Sequence, residues 1–365
     1  MYKTLDLTGI IWKHAAKIKS EMRFESMSDQ KTPSCATRQL GKVTILIQKI
    51  LSFCINQKVG IAEHISDTRY KLRHLHQTNI DLGIYHIKNG NFNDAILRFK
   101  LISNFLSPND ALADYFLGWC YFFKHKYSKA LEYFLISKDI DNIGLVSFLQ
   151  NKEYVDIIPI GIWQKYRELN AKAEGMKWDD KSLDIPRLFV KELCDVVDAL
   201  PKNCHMLDLG SGLGFIGAEI SQKLHRGYHL TGVEDIEWMV EFAMNLDYGG
   251  RVYDAMHRQT IQEFLNTNEE KYDIITNLCS LGYAKNLGES FAQIYKRLNP
   301  LGHFAILLPT NSSTGLNLDI CSFEYSRSDV EKQLKLAAFN IVSIKEWRVG
   351  RFSTYTMFIT NKIEN

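Results

Sequence analysis

The chain has no run of about 18 consecutive apolar residues, so no membrane-spanning helix is expected. Its densest apolar stretch, residues 43–55, is short and interrupted by Gln48 and Lys49. The first residues lack a continuous apolar core followed by a small-residue cleavage site, so no signal peptide is expected. Cysteine is sparse. Seven are scattered singly and none forms a C-x-x-C pair. This argues against a zinc site or any other metal site, and for reduced thiols and a cytoplasmic location. An excess of one charge is also missing. The 44 Lys+Arg nearly balance the 42 Asp+Glu, leaving a net +2, so nucleic acid is not expected as a partner.

What remains is ordinary for a globular protein: 45% apolar and 24% charged residues. A length of 365 residues suits two domains better than one. Residues 1–75 read as an N-terminal extension. A polar, Pro33-containing stretch over residues 26–37 is predicted as a loop or disordered linker, and residues 43–54 as an amphipathic helix. Residues 1–80 hold 13 basic and 6 acidic side chains. A solvated basic surface explains this, as does contact with an anionic partner.

Residues 76–151 contain an internal repeat. Gly83, Phe92, Ala95 and Phe99 recur as Gly118, Tyr127, Ala130 and Phe134, always 35 residues on. Small residues at such positions let two helices approach, and the aromatics fill the space between them. The pattern resembles tetratricopeptide repeats. Two copies need neighbours to bury their faces, and the helix at 43–55 and the segment 145–149 are expected to cap them. Such repeats either dock a protein substrate or partner, or form a platform for the next domain.

Residues 152–200 lead into that domain. Trp163 and Tyr166 stand at helical spacing, which suits a core, and Trp178 follows them. An amphipathic helix is predicted over residues 187–200.

The third feature is Asp208-x-Gly210-x-Gly212-x-Gly214. An apolar strand (Met206, Leu207, Leu209) enters it and a helical pattern leaves it. Glycines let the backbone adopt φ > 0 and let a ligand come close. Free N–H groups at the helix start attract an anion. A second strand, residues 228–233, ends at the acid Glu234, well placed for a ribose diol. Gly212, Gly214 and Gly217 also match the dinucleotide fingerprint, and a ligand-free turn is a third reading. Asp208 discriminates, because a carboxylate repels a pyrophosphate and favours a cation.

The stretch resembles the first motif of class I S-adenosylmethionine-dependent methyltransferases. Strands and helices alternate from residue 204 to the end, so a Rossmann-like α/β sheet with helices on both faces is expected. Strands are predicted at 271–276, 303–308, 341–349 and 353–359, the last two as an antiparallel edge hairpin. Helices are predicted at 237–246, 290–298 and 328–339, with a turn at 299–302. Over residues 79–360 the chain resembles bacterial predicted methyltransferases with N-terminal tetratricopeptide repeats. The motifs Val252-Tyr-Asp-Ala-Met-His257, Leu298-Asn-Pro300 and Phe323-Glu-Tyr-Ser-Arg327 add to that likeness.

The resemblance implies S-adenosylmethionine as cofactor, held by Asp208, Gly210, Ser211, Gly212, Gly214, Glu234, Asp235, Gln259, Thr260 and Asn277. An unidentified acceptor would be methylated, with His257 and Tyr283 as candidate catalytic groups and His303 a weaker one, and with Trp163, Tyr166 and Trp178 as candidates for substrate contact in a lid over the cofactor cleft. Two departures stand out. Thr260 or Gln259 occupies the place of an adenine-contacting Asp, and Cys279 replaces a second Asp. No Asn/Asp-Pro-Pro-Tyr signature follows Thr276, which weighs against amino-methylation of adenine or glutamine. The expected function is therefore methyl transfer, with repeats that dock a protein substrate or partner. The alternatives are a small-molecule or glycan acceptor, or a non-catalytic adaptor with a decayed cofactor fold.

Overall fold

The computed structural model describes residues 74–178, 185–197, 203–224, 227–246, 251–349 and 353–363, without the side chains of 171–178, 349 and 353. The predicted linker and amphipathic helix before residue 74, the side chain of Trp178 and the end of the 187–200 helix lie outside them. Residues from Leu75 onward cluster as one compact unit.

Two helical hairpins come first: α1 (Leu75–Lys88) with α2 (Phe92–Leu101), then α3 (Ala111–Phe123) with α4 (Tyr127–Ile136). The repeat in sequence is a repeat in contact. A Cβ on Gly83 would lie 2.4 Å from the ring of Phe99, and one on Gly118 would lie 2.4 Å from the ring of Phe134. Each glycine thus lets the aromatic of the partner helix lie against its backbone. The hairpins join through stacked rings, Phe92 on Phe123 at 5.2 Å and Phe99 on Phe116 at 5.3 Å. Asp110 caps α3 by accepting from the Ala113 N–H. A short helix, α5 (Leu145–Gln150), follows where a cap is expected.

Helix α6 (Ile160–Trp178) then runs from the hairpins to the sheet. Its Tyr166 ring sits 5.4 Å from Phe123 and 6.3 Å from Phe122, both on α3. Helix α7 (Ile185–Val196) buries Phe189, Val190 and Leu193.

Strands β1 (Cys204–Leu209), β2 (Tyr228–Val233), β3 (Ala255–His257), β4 (Tyr272–Leu278) and β5 (Leu298–Asn311) pair in parallel in the order β3-β2-β1-β4-β5. Helices α8 (Phe215–Lys223), α9 (Glu237–Met244), α10 (Ile261–Thr267) and α11 (Gly288–Arg297) connect them. A small hairpin, β6 (Gly315–Asn317) and β7 (Ser322–Ser326), follows, and then α12 (Arg327–Leu336). Strands β8 (Phe339–Val349) and β9 (Ser353–Lys362) end the described fold, with β9 antiparallel between β5 and β8. The expected antiparallel edge hairpin is therefore present, with β8 as its outer strand.

The apolar residues split between the faces of the sheet. One cluster joins Phe189, Val190 and Leu193 of α7 with Ile216 and Ile220 of α8. The other runs from Ile80, Phe123 and Tyr166 to Phe264, Phe291 and Leu334. The hairpins thus share a continuous core with one face of the sheet. Two expectations need correction. Residues 299–302 do not close a separate turn; they form an irregularity in β5, where Leu298 pairs with Tyr272 and His303 with Ile274. Phe339 belongs to β8 rather than the preceding helix, because its ring packs against Phe304 of β5 at 5.5 Å. Among the described residues, no helix is long and apolar enough to cross a membrane.

Candidate active site

The carboxyl ends of β1, β2 and β4 converge under α6, where two cavities adjoin. The larger is about 510 Å³ and the smaller about 190 Å³. Trp163, Arg167, Gly210 and Ser280 line both.

The loop after β1 forms their floor. Gly210 has φ +69°, and a Cβ there would meet the Ser280 Oγ at 2.2 Å. Only glycine satisfies both demands. Gly212 has φ +56° and faces open space, and its N–H donates to Glu234 Oε2 at 3.0 Å. Asp208, at the end of β1, is buried. Its Oδ2 accepts from the Tyr253 hydroxyl at 2.8 Å and its Oδ1 from the Thr276 hydroxyl at 2.9 Å. Burial pushes its pKa up to about 6, against the pull of those two donors.

Glu234 and Asp235 follow β2. Glu234 Oε1 accepts from the backbone N–H groups of Asp235 at 3.1 Å and Ile236 at 3.0 Å. Arg167 Nη2, from α6, donates to Glu234 Oε2 at 2.6 Å. Its Nη1 donates to Asp235 at 3.2 Å, and Gln164 donates to the same carboxylate at 2.9 Å. Burial raises the Glu234 pKa against the opposing charge of Arg167. Asp235 is also buried, but its hydrogen bonds and Arg167 outweigh that and hold it below its ordinary value.

Not every predicted site residue meets the cavities. Asp208, Gly210, Ser211 and Gly212 line one or both, as do Glu234, Asp235, Gln259, Thr260 and Tyr283. Asn277 lines neither. It is fully buried and donates to the Leu209 carbonyl and the Ser280 hydroxyl, tying β4 to β1. Gly214 packs under the loop, where a Cβ would lie 2.7 Å from Leu246. His257 lines neither cavity. Its ring packs on Phe264 at 5.1 Å, while its carbonyl accepts from the Glu234 and Gln259 N–H groups. His303 also lies outside both cavities, and burial lowers its pKa. Burial raises the Tyr283 pKa, so its hydroxyl stays protonated at neutral pH.

Thr260 is the N-cap of α10 in a reciprocal capping box with Glu263. The Thr260-x-x-Glu263 spacing is the sequence signature of that box, so its hydroxyl serves the helix. Gln259 lines the larger cavity beside it. Cys279 lines the smaller cavity from a left-handed turn, φ +60°. Sequence reasoning missed Arg167, Tyr253 and the residues Ile320 and Ser322 that the β6–β7 region brings to the smaller cavity. Arg167 is the sole Lys, Arg or His lining either cavity among the described residues, against the acids Asp208, Glu234, Asp235 and Glu289. This acidic cleft disfavours a pyrophosphate and suits a cationic ligand.

Residues 200–344 match the family described as "Methyltransferase domain". No curated protein matches the chain. One similar solved structure is the 1,6-didemethyltoxoflavin-N1-methyltransferase of Burkholderia thailandensis with 1,6-didemethyltoxoflavin and S-adenosylhomocysteine bound. It is 17% identical, with TM-score 0.45, over 56% of this chain and 89% of that one. Another is the magnesium protoporphyrin IX methyltransferase of Synechocystis PCC 6803 with bound S-adenosylmethionine, 16% identical, TM-score 0.41, covering 55% and 96%. A third is the geranyl diphosphate C-methyltransferase of Streptomyces coelicolor A3(2), 14% identical, TM-score 0.42, covering 50% and 80%. Residues 200–344 thus form a methyltransferase domain, whose cofactor is S-adenosylmethionine.

Proposed function

We propose that the enzyme methylates a small, largely apolar acceptor held in the smaller cavity. The supporting observation is the pair of adjoining cavities beside Gly210 and Ser280. In this reading Gln259, Gln262 and Asn266 in the larger cavity receive the adenine, and Glu234 receives the ribose hydroxyls. Asp208 and the Gly210–Gly212 backbone face the methionine end. When bound, S-adenosylmethionine would supply a sulfonium methyl group for in-line transfer to a nucleophile, with S-adenosylhomocysteine as the leaving group. The protein's task is then alignment and exclusion of water.

Trp163, Tyr166, Pro309, Ile320 and Tyr355 give the smaller cavity an aromatic and aliphatic wall. Neither cavity is lined by a histidine or lysine among the described residues. Tyr283 stays protonated at neutral pH and so does not serve as a general base. This favours an acceptor atom that offers a lone pair without losing a proton first.

The hairpins, read as a pair of tetratricopeptide repeats, line neither cavity but brace the elements that do. Tyr127, at the start of α4, donates a hydrogen bond to Asp319, next to Ile320 and Ser322 of the smaller cavity. One observation favours the second reading, a docked protein. A groove of about 890 Å³ runs along α3, α6 and α9, and its acids Glu168, Asp235, Glu237 and Glu241 outnumber its bases Lys165 and Arg258, a balance suited to a basic segment. Methyl-labelled cofactor added to a cell extract separates the two. Label in extractable small molecules is the expected result. Label confined to protein would reject the small acceptor.

A further inference from the structure

The Glu234 carboxylate has no acceptor site left. A carboxylate offers about four lone-pair positions. Glu234 fills them with four donors, two per oxygen: the N–H groups of Asp235 and Ile236 on Oε1, and the Gly212 N–H and Arg167 Nη2 on Oε2. Three of these donors are backbone groups fixed by the loops that follow β1 and β2. Arg167 alone is a side chain, and it comes from a different element 67 residues away in the chain.

We propose that Arg167 competes with the cofactor's ribose for Glu234, and that binding moves its guanidinium wholly onto Asp235. The inference rests on the placement of ribose at Glu234. Asp235 is suited to the exchange, because Arg167 Nη1 and Gln164 from the preceding turn of α6 already meet it. Arg167 is thus a positioning residue that acts through Glu234. It makes cofactor affinity depend on where α6 lies. Helix α6 in turn is held by the hairpins, through Tyr166 against Phe122 and Phe123 and through Lys88, 3.6 Å from Glu168. A change at the hairpins that draws α6 away from the cleft would raise affinity for the cofactor.

The test is calorimetric titration of the full chain with S-adenosylhomocysteine and with adenosine, which shares the ribose but lacks the amino-acid tail. Arg167→Met removes the competing donor and keeps an apolar stem. The expected result is binding of both ligands about tenfold tighter than wild type, the size of one charge-assisted hydrogen bond. Loss of a merely structural residue would not tighten binding. Asp235→Asn, which takes away the second position, is expected to weaken both ligands, and this weakening should vanish in the double variant with Arg167→Met. Unchanged or weaker binding by a folded Arg167→Met would overturn the competition. A loss in Asp235→Asn that persists in the double variant would overturn Asp235 as the alternative partner. Undiminished binding by Glu234→Ala would instead overturn the placement of ribose itself, and this inference with it.

Discussion

Asp208 carries a prediction with two opposite signs. Its carboxyl is buried, and its pKa is pushed up to about 6 from an ordinary 3.8. The folded protein therefore holds this proton more tightly than the unfolded chain. Between those two values the native state binds more protons, so unfolding becomes easier as pH rises. The stabilising effect is complete below about pH 4 and gone above about pH 6. The shift of about two units corresponds to about 3 kcal/mol. Cofactor binding should move the other way. The ionised carboxylate attracts the ammonium and sulfonium, and at about pH 5 only about one molecule in ten carries it. S-adenosylmethionine should then bind about tenfold more weakly at about pH 5 than at about pH 7. Asp208→Asn removes the titration and should flatten both profiles relative to wild type. The assays are urea unfolding and calorimetry across this range. Stability profiles of variant and wild type that run parallel would refute the burial argument. A parallel fall in affinity would refute the electrostatic role.

Four further outcomes follow from named contacts. Gly210→Ala places a Cβ against Ser280 in a left-handed backbone. It should lose cofactor binding in calorimetry and about 2 kcal/mol or more of stability in urea unfolding. Tyr127→Phe removes the hydrogen bond to Asp319 beside the smaller cavity; acceptor KM should rise while affinity for S-adenosylhomocysteine stays unchanged. His257→Ala should keep turnover within a few-fold, because its ring meets Phe264 rather than a cavity; a loss of about a hundredfold or more would restore it as a base. Gly118→Ala should destabilise the fold by about 2 kcal/mol by driving Phe134 from its seat, as a lowered thermal midpoint would report.

The parts of the fold legible in sequence were those written in consecutive residues. The strand–glycine–helix unit at 204–224, the acids after β2 and the 35-residue repeat each declare themselves locally. Less legible were features settled by distant partners. Three-residue strands such as β6 are too short and polar to show alternation, so the β6–β7 hairpin passed unseen. Spacing placed His257 at a strand end but could not say which way its ring points. Phe339 carries the same apolar signal in a helix or a strand, and only its contact with Phe304 decides. Arg167 has no local mark, since its partners lie in the loop after β2. The Thr260 capping box is legible in the Thr-x-x-Glu spacing, which commits its hydroxyl to the helix rather than to a ligand.

The most direct test of the account is calorimetric titration of wild type and Glu234→Ala with S-adenosylhomocysteine. The account predicts micromolar binding by wild type and a loss of about tenfold or more in the variant, which forfeits the charge-assisted hydrogen bond from the ribose. Equal binding by the two folded proteins would contradict it.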